Sequence, residues 1–312
     1  MKIKRKIIIG LLIVLSLLTV TKIYSEIDAS VYENKIEKMN NLKESNITIE
    51  HKTLKIDNFE IHYYVSGSDN KDLIVFLHPA FSDHRAFAQQ IDFFSKKYKV
   101  ITIDLIGHGL SKANKSKDKI DASSKHINKI LEIEGFKKAH FVGVSMGSLI
   151  AQYFALEYPE KVKSLTALGG YNINKDDKEL AKAQRSYNLK LVFKALFSMK
   201  AFRKTIAENT CKSEKGQALF YETTSYYERK SFMVMQGLQN VIKDRENVKP
   251  KYPILILVGE ADIELSKRMV KKWHSEIDKS EYVLIKNAGH CANIDKPMIF
   301  NNLLMKFINK NK

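Results

Sequence analysis

The 312-residue chain predicts an α/β fold: a doubly wound, mainly parallel sheet with an inserted helical cap, preceded by an N-terminal signal or anchor helix. Three observations predict it. From about residue 51 short apolar, β-branched runs alternate with segments of helical spacing. Between residue 169 and Pro250 that alternation stops and aromatic-rich helical spacing takes over. The chain also opens with a basic cluster followed by an uncharged apolar run.

That opening is "MKIKRK", with Lys2, Lys4, Arg5 and Lys6, followed by Ile7 to Val20, fourteen residues without a charge. A basic start and an apolar run form an export signal. The run is shorter than the roughly 20 residues that span a bilayer, although Thr21 to Tyr24 lengthen it if Lys22 snorkels. Cleaved signal and retained anchor both stay open, and in either case the remainder is expected outside the cytoplasm, secreted or held at the membrane. Residues 26–50, polar and mixed, read as a spacer.

Extended segments are expected at Thr53 to Ile56, Glu60 to Val65, Leu73 to His78, Val100 to Asp104, His140 to Val144, Val162 to Leu168, Ile254 to Val258 and Tyr282 to Ile285. Helical spacing lies around 84–97, 119–134, 146–158, 264–276 and 294–309. Two strands that pair first and a β-α alternation after them indicate a mainly parallel sheet. The interrupting segment carries Tyr171, Tyr187, Phe193, Phe197, Phe202, Phe220, Tyr221, Tyr226, Tyr227 and Phe232. Its place in the alternation puts it over the carboxyl ends of the strands, where open α/β sheets bind ligands.

The junction of strand and helix at residue 145 carries the chemistry. His140 to Val144 is strand-like, and Leu149, Ile150, Tyr153, Phe154 and Leu156 recur at helical spacing until Pro159. Gly143 and Gly147 bracket Ser145 as G-x-S-x-G. A sharp strand-to-helix turn crowds the backbone, so side chains two residues either side must be absent. The serine hydroxyl is then pushed outward at a helix N-terminus, whose free N–H groups favour a developing negative charge.

Five segments in order, "LIVFLHPAFSDHRAF" (73–87), "VITIDLIGHGLS" (100–111), "FVGVSMGSLIAQ" (141–152), "ILILVGEAD" (254–262) and "NAGHCANIDKP" (287–297), resemble the successive signature segments of α/β-hydrolase-fold enzymes. The resemblance covers about residues 51–312. It implies a hydrolase core in two parts, 51–170 and 251–312, with a helical cap at 171–250, behind the signal or anchor read at 1–25. It also implies Ser145 as nucleophile, Asp262 as the orienting acid and His290 as general base, in the superfamily's chain order. A serine hydroxyl is a weak nucleophile at neutral pH, so His290 must take its proton and Asp262 must hold the right tautomer. Glu260 and Glu264 flank Asp262 as further carboxylates, but Asp262 matches the superfamily position.

The oxyanion loop departs from the usual His-Gly form and reads His78-Pro79-Ala80-Phe81. Pro79 has no N–H. By resemblance the donors are the N–H groups of Ala80 and Met146, with Phe81 as the alternative donor if the register differs. Phe81 and His78 are the candidate substrate-binding side chains, His78 more naturally bracing the loop. In "DLIGHGLS", Asp104, Gly107, Gly109 and Ser111 resemble the family's structural turn, with His108 packing near the site. His51, His62, His126, His140 and His274 match no motif.

Lys and Arg total 52 against 35 Asp and Glu, a formal charge of +17 spread along the chain. No zinc-ligand spacing, RNP-like motif or P-loop accompanies it, so the charge suits anionic envelope surfaces better than nucleic acid. Cys211 and Cys291 are too few for a disulfide framework and wrongly spaced for a metal site. The resemblance implies no metal and no organic cofactor. The reading is a serine hydrolase acting on a small, apolar ester or related carbonyl substrate. Serine at the elbow argues against relatives that use aspartate there, such as epoxide hydrolases and haloalkane dehalogenases. C–C bond hydrolases, acyltransferases and perhydrolases share the triad and stay open. A non-catalytic, envelope-anchored binding protein on the same fold is the reading from another class.

Overall fold

The structure, a computed structural model, describes residues 2–40, 48–67, 72–113, 118–246 and 248–311. A long helix α1 (Lys2–Asn40) precedes strands β1 (Ile49–Ile56), β2 (Phe59–Ser66) and β3 (Leu73–Leu77). Next come α2 (Ala88–Phe94), β4 (Lys99–Ile103), α3 (Ser123–Ile133), β5 (Ala139–Val144), α4 (Met146–Glu157) and β6 (Val162–Leu168). Helices α5 (Lys178–Phe197), α6 (Met199–Thr210), α7 (Glu214–Thr223) and α8 (Leu238–Val241) form the cap, with a 3₁₀ helix at Arg229–Gly237. The core resumes with β7 (Ile254–Gly259), α9 (Glu264–Ser275), β8 (Ser280–Ile285), α10 (Ala292–Asp295) and α11 (Pro297–Lys310).

The strands form one eight-stranded sheet in the order β1-β2-β4-β3-β5-β6-β7-β8. β1 and β2 pair antiparallel, as do β2 and β4, and every other neighbour is parallel. The β1–β2 hairpin turns through Asp57 and Asn58, both at positive φ (50° and 65°), as a two-residue primed turn requires. β3 sits between β4 and β5, so the chain reverses its direction of travel across the sheet there. Loops after β3 and β5 therefore flank the crevice where doubly wound sheets hold ligands.

Each expected strand is present. Alternate residues of β3 supply two cores: Leu73, Val75 and Leu77 pack with Ile127 and Ile130 of α3, Ile150 and Phe154 of α4, and Trp273 of α9. Ile74 and Phe76 join Phe87, Ile91 and Phe94 beside α2, and Phe300 and Leu304 of α11, on the opposite face. Burial of such side chains is worth about 1.5–3 kcal/mol each, which explains why near-continuous apolar strands settle in the middle layer. The single helix expected at 294–309 is two. Lys296, the residue before Pro297, has φ −135°, outside the helical region, because a following proline disfavours it.

In the cap, Asp177, Ser198 and Ser213 each accept a hydrogen bond from the backbone N–H three residues on, capping α5, α6 and α7. α1 runs unbroken across the boundary expected near residue 25. Its second half lies on the cap: Asp28 pairs with Lys204, Glu33 with Lys200 and Lys35 with Glu214, while Tyr32 packs edge-on against Tyr221 and Ala29 is fully buried. Every described side chain of α1 ahead of Ser25 is exposed. Among the described residues no helix is long and apolar enough to cross a membrane. The side chains of 2–9, 12 and 13, part of the expected signal or anchor, lie outside the described residues, as do residues 41–47 of the expected spacer.

Candidate active site

Ser145 stands between β5 and α4 with φ 50° and ψ −118°. Hydrogen bonds at both ends of the residue hold this strained backbone: Ser145 N–H donates to Leu168 O at 2.7 Å, and Ser145 O accepts from Ser148 N and Oγ at 2.9 and 2.7 Å. The bracketing glycines are required by contact. A Cβ on Gly147 would lie 1.9 Å from Leu77 O, and one on Gly143 would lie 2.4 Å from Gly147 O. Strain of about 1–3 kcal/mol stored at one residue persists because the sheet on both sides over-determines it.

Asp262, in the loop after β7, is buried and accepts three hydrogen bonds: Ile263 N at 2.8 Å, Ser266 Oγ at 2.8 Å and His290 Nδ1 at 2.7 Å. His290 follows β8, partly exposed. Gly169 has φ 63°, and a Cβ there would lie 2.8 Å from His290 Cε1, so only glycine admits the ring beside the residue that follows Leu168. Leu168 O in turn holds Ser145 N. Ser145, Asp262 and His290 thus lie in the segments that follow β5, β7 and β8, with Asp262 and His290 bonded to each other. Burial favours the neutral carboxyl of Asp262, but the charge and hydrogen bond of His290, with the bonds from Ser266 and Ile263, hold its pKa below the ordinary value. Burial pulls the His290 imidazole down, and the Asp262 carboxylate more than reverses this and holds it above the ordinary range.

Glu260 and Glu264 are placed elsewhere: Glu260 accepts from Asn287 N, and Glu264 pairs with Lys267 in solvent.

After β3 the chain turns at Pro79–Ser82. Pro79 O accepts from His78 Nδ1 at 2.8 Å, Ser82 Oγ at 3.0 Å and Ser82 N at 3.4 Å. His78 Nε2 accepts from Leu105 N at 3.0 Å, which makes Nδ1 the protonated nitrogen. His78 is fully buried with both ring nitrogens bonded to backbone groups, so it braces the loop. Ala80 is half-buried in the turn, and Met146 opens α4, where the first N–H groups have no intrahelical acceptor.

Phe81 occupies the left-handed region at φ 69° and packs against Phe202, Tyr227 and Phe232 of the cap, ring centroids 5.1 to 5.9 Å away. The cap aromatics therefore close over the turn at Pro79–Ser82. His108, buried and next to His78 and Tyr227, is lowered to about 3 by burial above all and stays neutral.

Sequence reasoning missed two connections. Asp295 accepts from Lys212 N (2.7 Å), Ser213 N (2.9 Å), Ser213 Oγ (2.7 Å) and Gly289 N (2.8 Å), tying the cap to the residue before His290. Arg85, paired with Asp83, reaches Glu222 O and Ser225 Oγ at 2.9 Å and stacks on Tyr226, tying the loop after β3 to the cap. Neither has a local signal, because each partner is distant in sequence. Asp83, His84 and Asp104 bring three potential metal-ligand atoms together, but the carboxylates are already taken by Arg85, His84, Tyr64 and Leu110 N–H. Cys211 and Cys291 are free and buried, and burial pushes both thiols well above their ordinary value. Of the unassigned histidines, His51 bonds His62 across β1 and β2, His140 bonds Ser164, His274 bonds Ser280, and His126 packs by Phe59.

The sequence pattern of the family described as alpha/beta hydrolase fold matches residues 72–297. The chain belongs to the α/β-hydrolase family. Epoxide hydrolase 1 of Caenorhabditis elegans is 25% identical over 82% of this chain and 70% of its own. An uncharacterized carboxylesterase, nap, of Bacillus subtilis is 25% identical over 80% and 83%. Among solved structures, a membrane phospholipase A described as a bacterial virulence factor superposes with TM-score 0.69 at 18% identity, over 98% of both chains, a likeness of fold. The chain is a hydrolytic enzyme of this family.

Proposed function

We propose that this α/β-hydrolase cleaves apolar carboxylic esters through Ser145, His290 and Asp262. The observation that carries the reading is the Asp262–His290 bond at 2.7 Å beside the elbow: with Nδ1–H committed to the carboxylate, Nε2 is left as the acceptor. In the proposed reaction His290 Nε2 takes the Ser145 hydroxyl proton as Oγ attacks the substrate carbonyl. The oxyanion is held by the N–H groups of Ala80 and Met146. Collapse expels the alcohol, which receives the proton from His290, and water clears the acyl-enzyme by the same steps. Serine at the elbow sets the chain apart from the aspartate mechanism of epoxide hydrolases, despite the likeness to relatives so named. The aromatic roof of Phe81, Phe202, Tyr227 and Phe232 supports an apolar acyl group, since each buried methylene adds up to ~0.8 kcal/mol.

The test is a fluorophosphonate probe followed by a p-nitrophenyl ester series. The probe should label Ser145, and kcat/KM should rise from acetate to a medium acyl chain and then fall. An unlabelled Ser145 would sink the mechanism, and a flat profile would sink the apolar substrate. We further propose that the basic start and apolar run place the enzyme outside the cytoplasm, held or exported by its N-terminal segment. Fractionation of the native protein checks this, and recovery from the cytosol alone contradicts it.

A further inference from the structure

Helix α5 has two opposed faces. Leu180, Leu191 and Ala195 are buried. On the other side Lys182, Arg185, Leu189, Phe193 and Leu196 follow one another at spacings of three or four residues, which places them in one stripe along the helix. All five are exposed; Leu189 is 71%, Phe193 59% and Leu196 62% accessible. Three large apolar side chains left in solvent in a row, beyond a turn that carries two cations, form an exposed amphipathic stripe. The helix itself carries one sign of charge along the stripe: from Leu180 to Phe197 there is no Asp or Glu, against Lys182, Arg185, Lys190 and Lys194.

A second observation bears on the partner. Asn209 bonds Tyr187 and Lys194 bonds Thr205, which lays α5 antiparallel along one side of α6. The pairs Asp28–Lys204 and Glu33–Lys200 lay α1 antiparallel along α6 as well. α5 and α1 therefore run in the same direction, each packed against α6. Ahead of Ser25, α1 exposes Leu11, Val14, Leu15, Leu17, Leu18, Val20 and Ile23.

We propose that the exposed stripe of α5 docks on an anionic lipid bilayer, with Leu189, Phe193 and Leu196 entering the headgroup boundary and Lys182 and Arg185 on the lipid phosphates. The fit is one of charge and shape. Cations near an anionic surface gain about fivefold each in affinity, and the apolar residues gain by leaving water. Docking would hold the cap against the bilayer, independently of which reaction the site performs.

The experiment uses the full chain with one added cysteine, the native Cys211 and Cys291 being buried. An environment-sensitive fluorophore is placed at Leu189→Cys or, as reference, at Ile133→Cys on α3, which is also exposed. On vesicles of phosphatidylcholine and phosphatidylglycerol, the probe at 189 should shift to the blue and be quenched by lipid-borne nitroxide, while the probe at 133 should not. Lys182→Glu with Arg185→Glu should weaken this local docking by on the order of tenfold or more. A probe at 189 that stays as wet as the one at 133 on vesicle-bound protein overturns the proposal. So does quenching that survives the double charge reversal unchanged, or a blue shift without lipid that grows with protein concentration, which would give the face to a second copy of the chain.

Discussion

The Asp262 carboxylate accepts a hydrogen bond from His290 Nδ1 at 2.7 Å, and the two residues lie 28 positions apart on loops after successive strands. The bond orients the ring, sets its tautomer and shifts both pKa values.

The proposed triad acts as a unit. Ser145→Ala and His290→Ala should each lower kcat by on the order of 10⁴-fold or more, and the double variant should be little worse. Asp262→Asn should cost somewhat less. Steady-state kinetics on a preparation free of other esterases decides it: more than about a tenth of wild-type activity in Ser145→Ala contradicts the mechanism.

The pH profile follows from the same bond. The base must be neutral, and His290 is held above the ordinary 6.5, so kcat/KM should rise through an acid limb whose midpoint lies above 6.5. In Asp262→Asn only the lowering effect of burial remains, so the residual activity should show a limb moved to lower pH. For stability the raised His290 contributes at low pH and loses its contribution as pH rises through its raised value. The depressed Asp262 contributes above the ordinary carboxylate range and loses it as pH falls. A limb that stays put in Asp262→Asn would show that the carboxylate does not set the histidine.

Phe81 is held in the left-handed region by its contacts with three cap rings. Phe81→Ala should destabilise by about 3 kcal/mol through lost packing. Phe81→Gly loses the same ring but relieves the positive φ, so it should be more stable than the alanine variant by about 0.5–1 kcal/mol. Denaturant unfolding of the pair measures this difference, and an alanine variant at least as stable as the glycine one contradicts the backbone assignment.

Asp295 joins the cap to the loop that carries His290. Asp295→Ala strands the N–H groups of Lys212, Ser213 and Gly289, at a cost of about 1–3 kcal/mol for each that stays buried. With His290 displaced, kcat should fall by on the order of tenfold to a hundredfold while KM changes less. Below the melting temperature, an unchanged rate of fluorophosphonate labelling at Ser145 would confine Asp295 to a structural role.

The fold was legible because its signals are local. Strand and helix periodicity, Pro159 and the glycines about Ser145 each act within a few residues, and the eight expected strands are those of the sheet. The family segments likewise point to the candidate triad one loop at a time. What the sequence left open lies in contacts between distant parts. The bracing of the 78–82 turn by His78 depends on Leu105 N, supplied by the loop after β4. The break before Pro297 was readable from the proline, but the use of Asp295 was not, because its partners lie on the cap. The resting place of residues 26–35 likewise depends on Lys200 and Lys204, far along the chain. By itself the sequence determined which segments are strands and helices and which residue types stand at the loops, since backbone preference and amphipathic period are properties of neighbours. Only the tertiary structure decided which side chains brace, which bond to one another and which stay in solvent, because hydrogen-bond partners and burial are set by residues that neither composition nor spacing brings together.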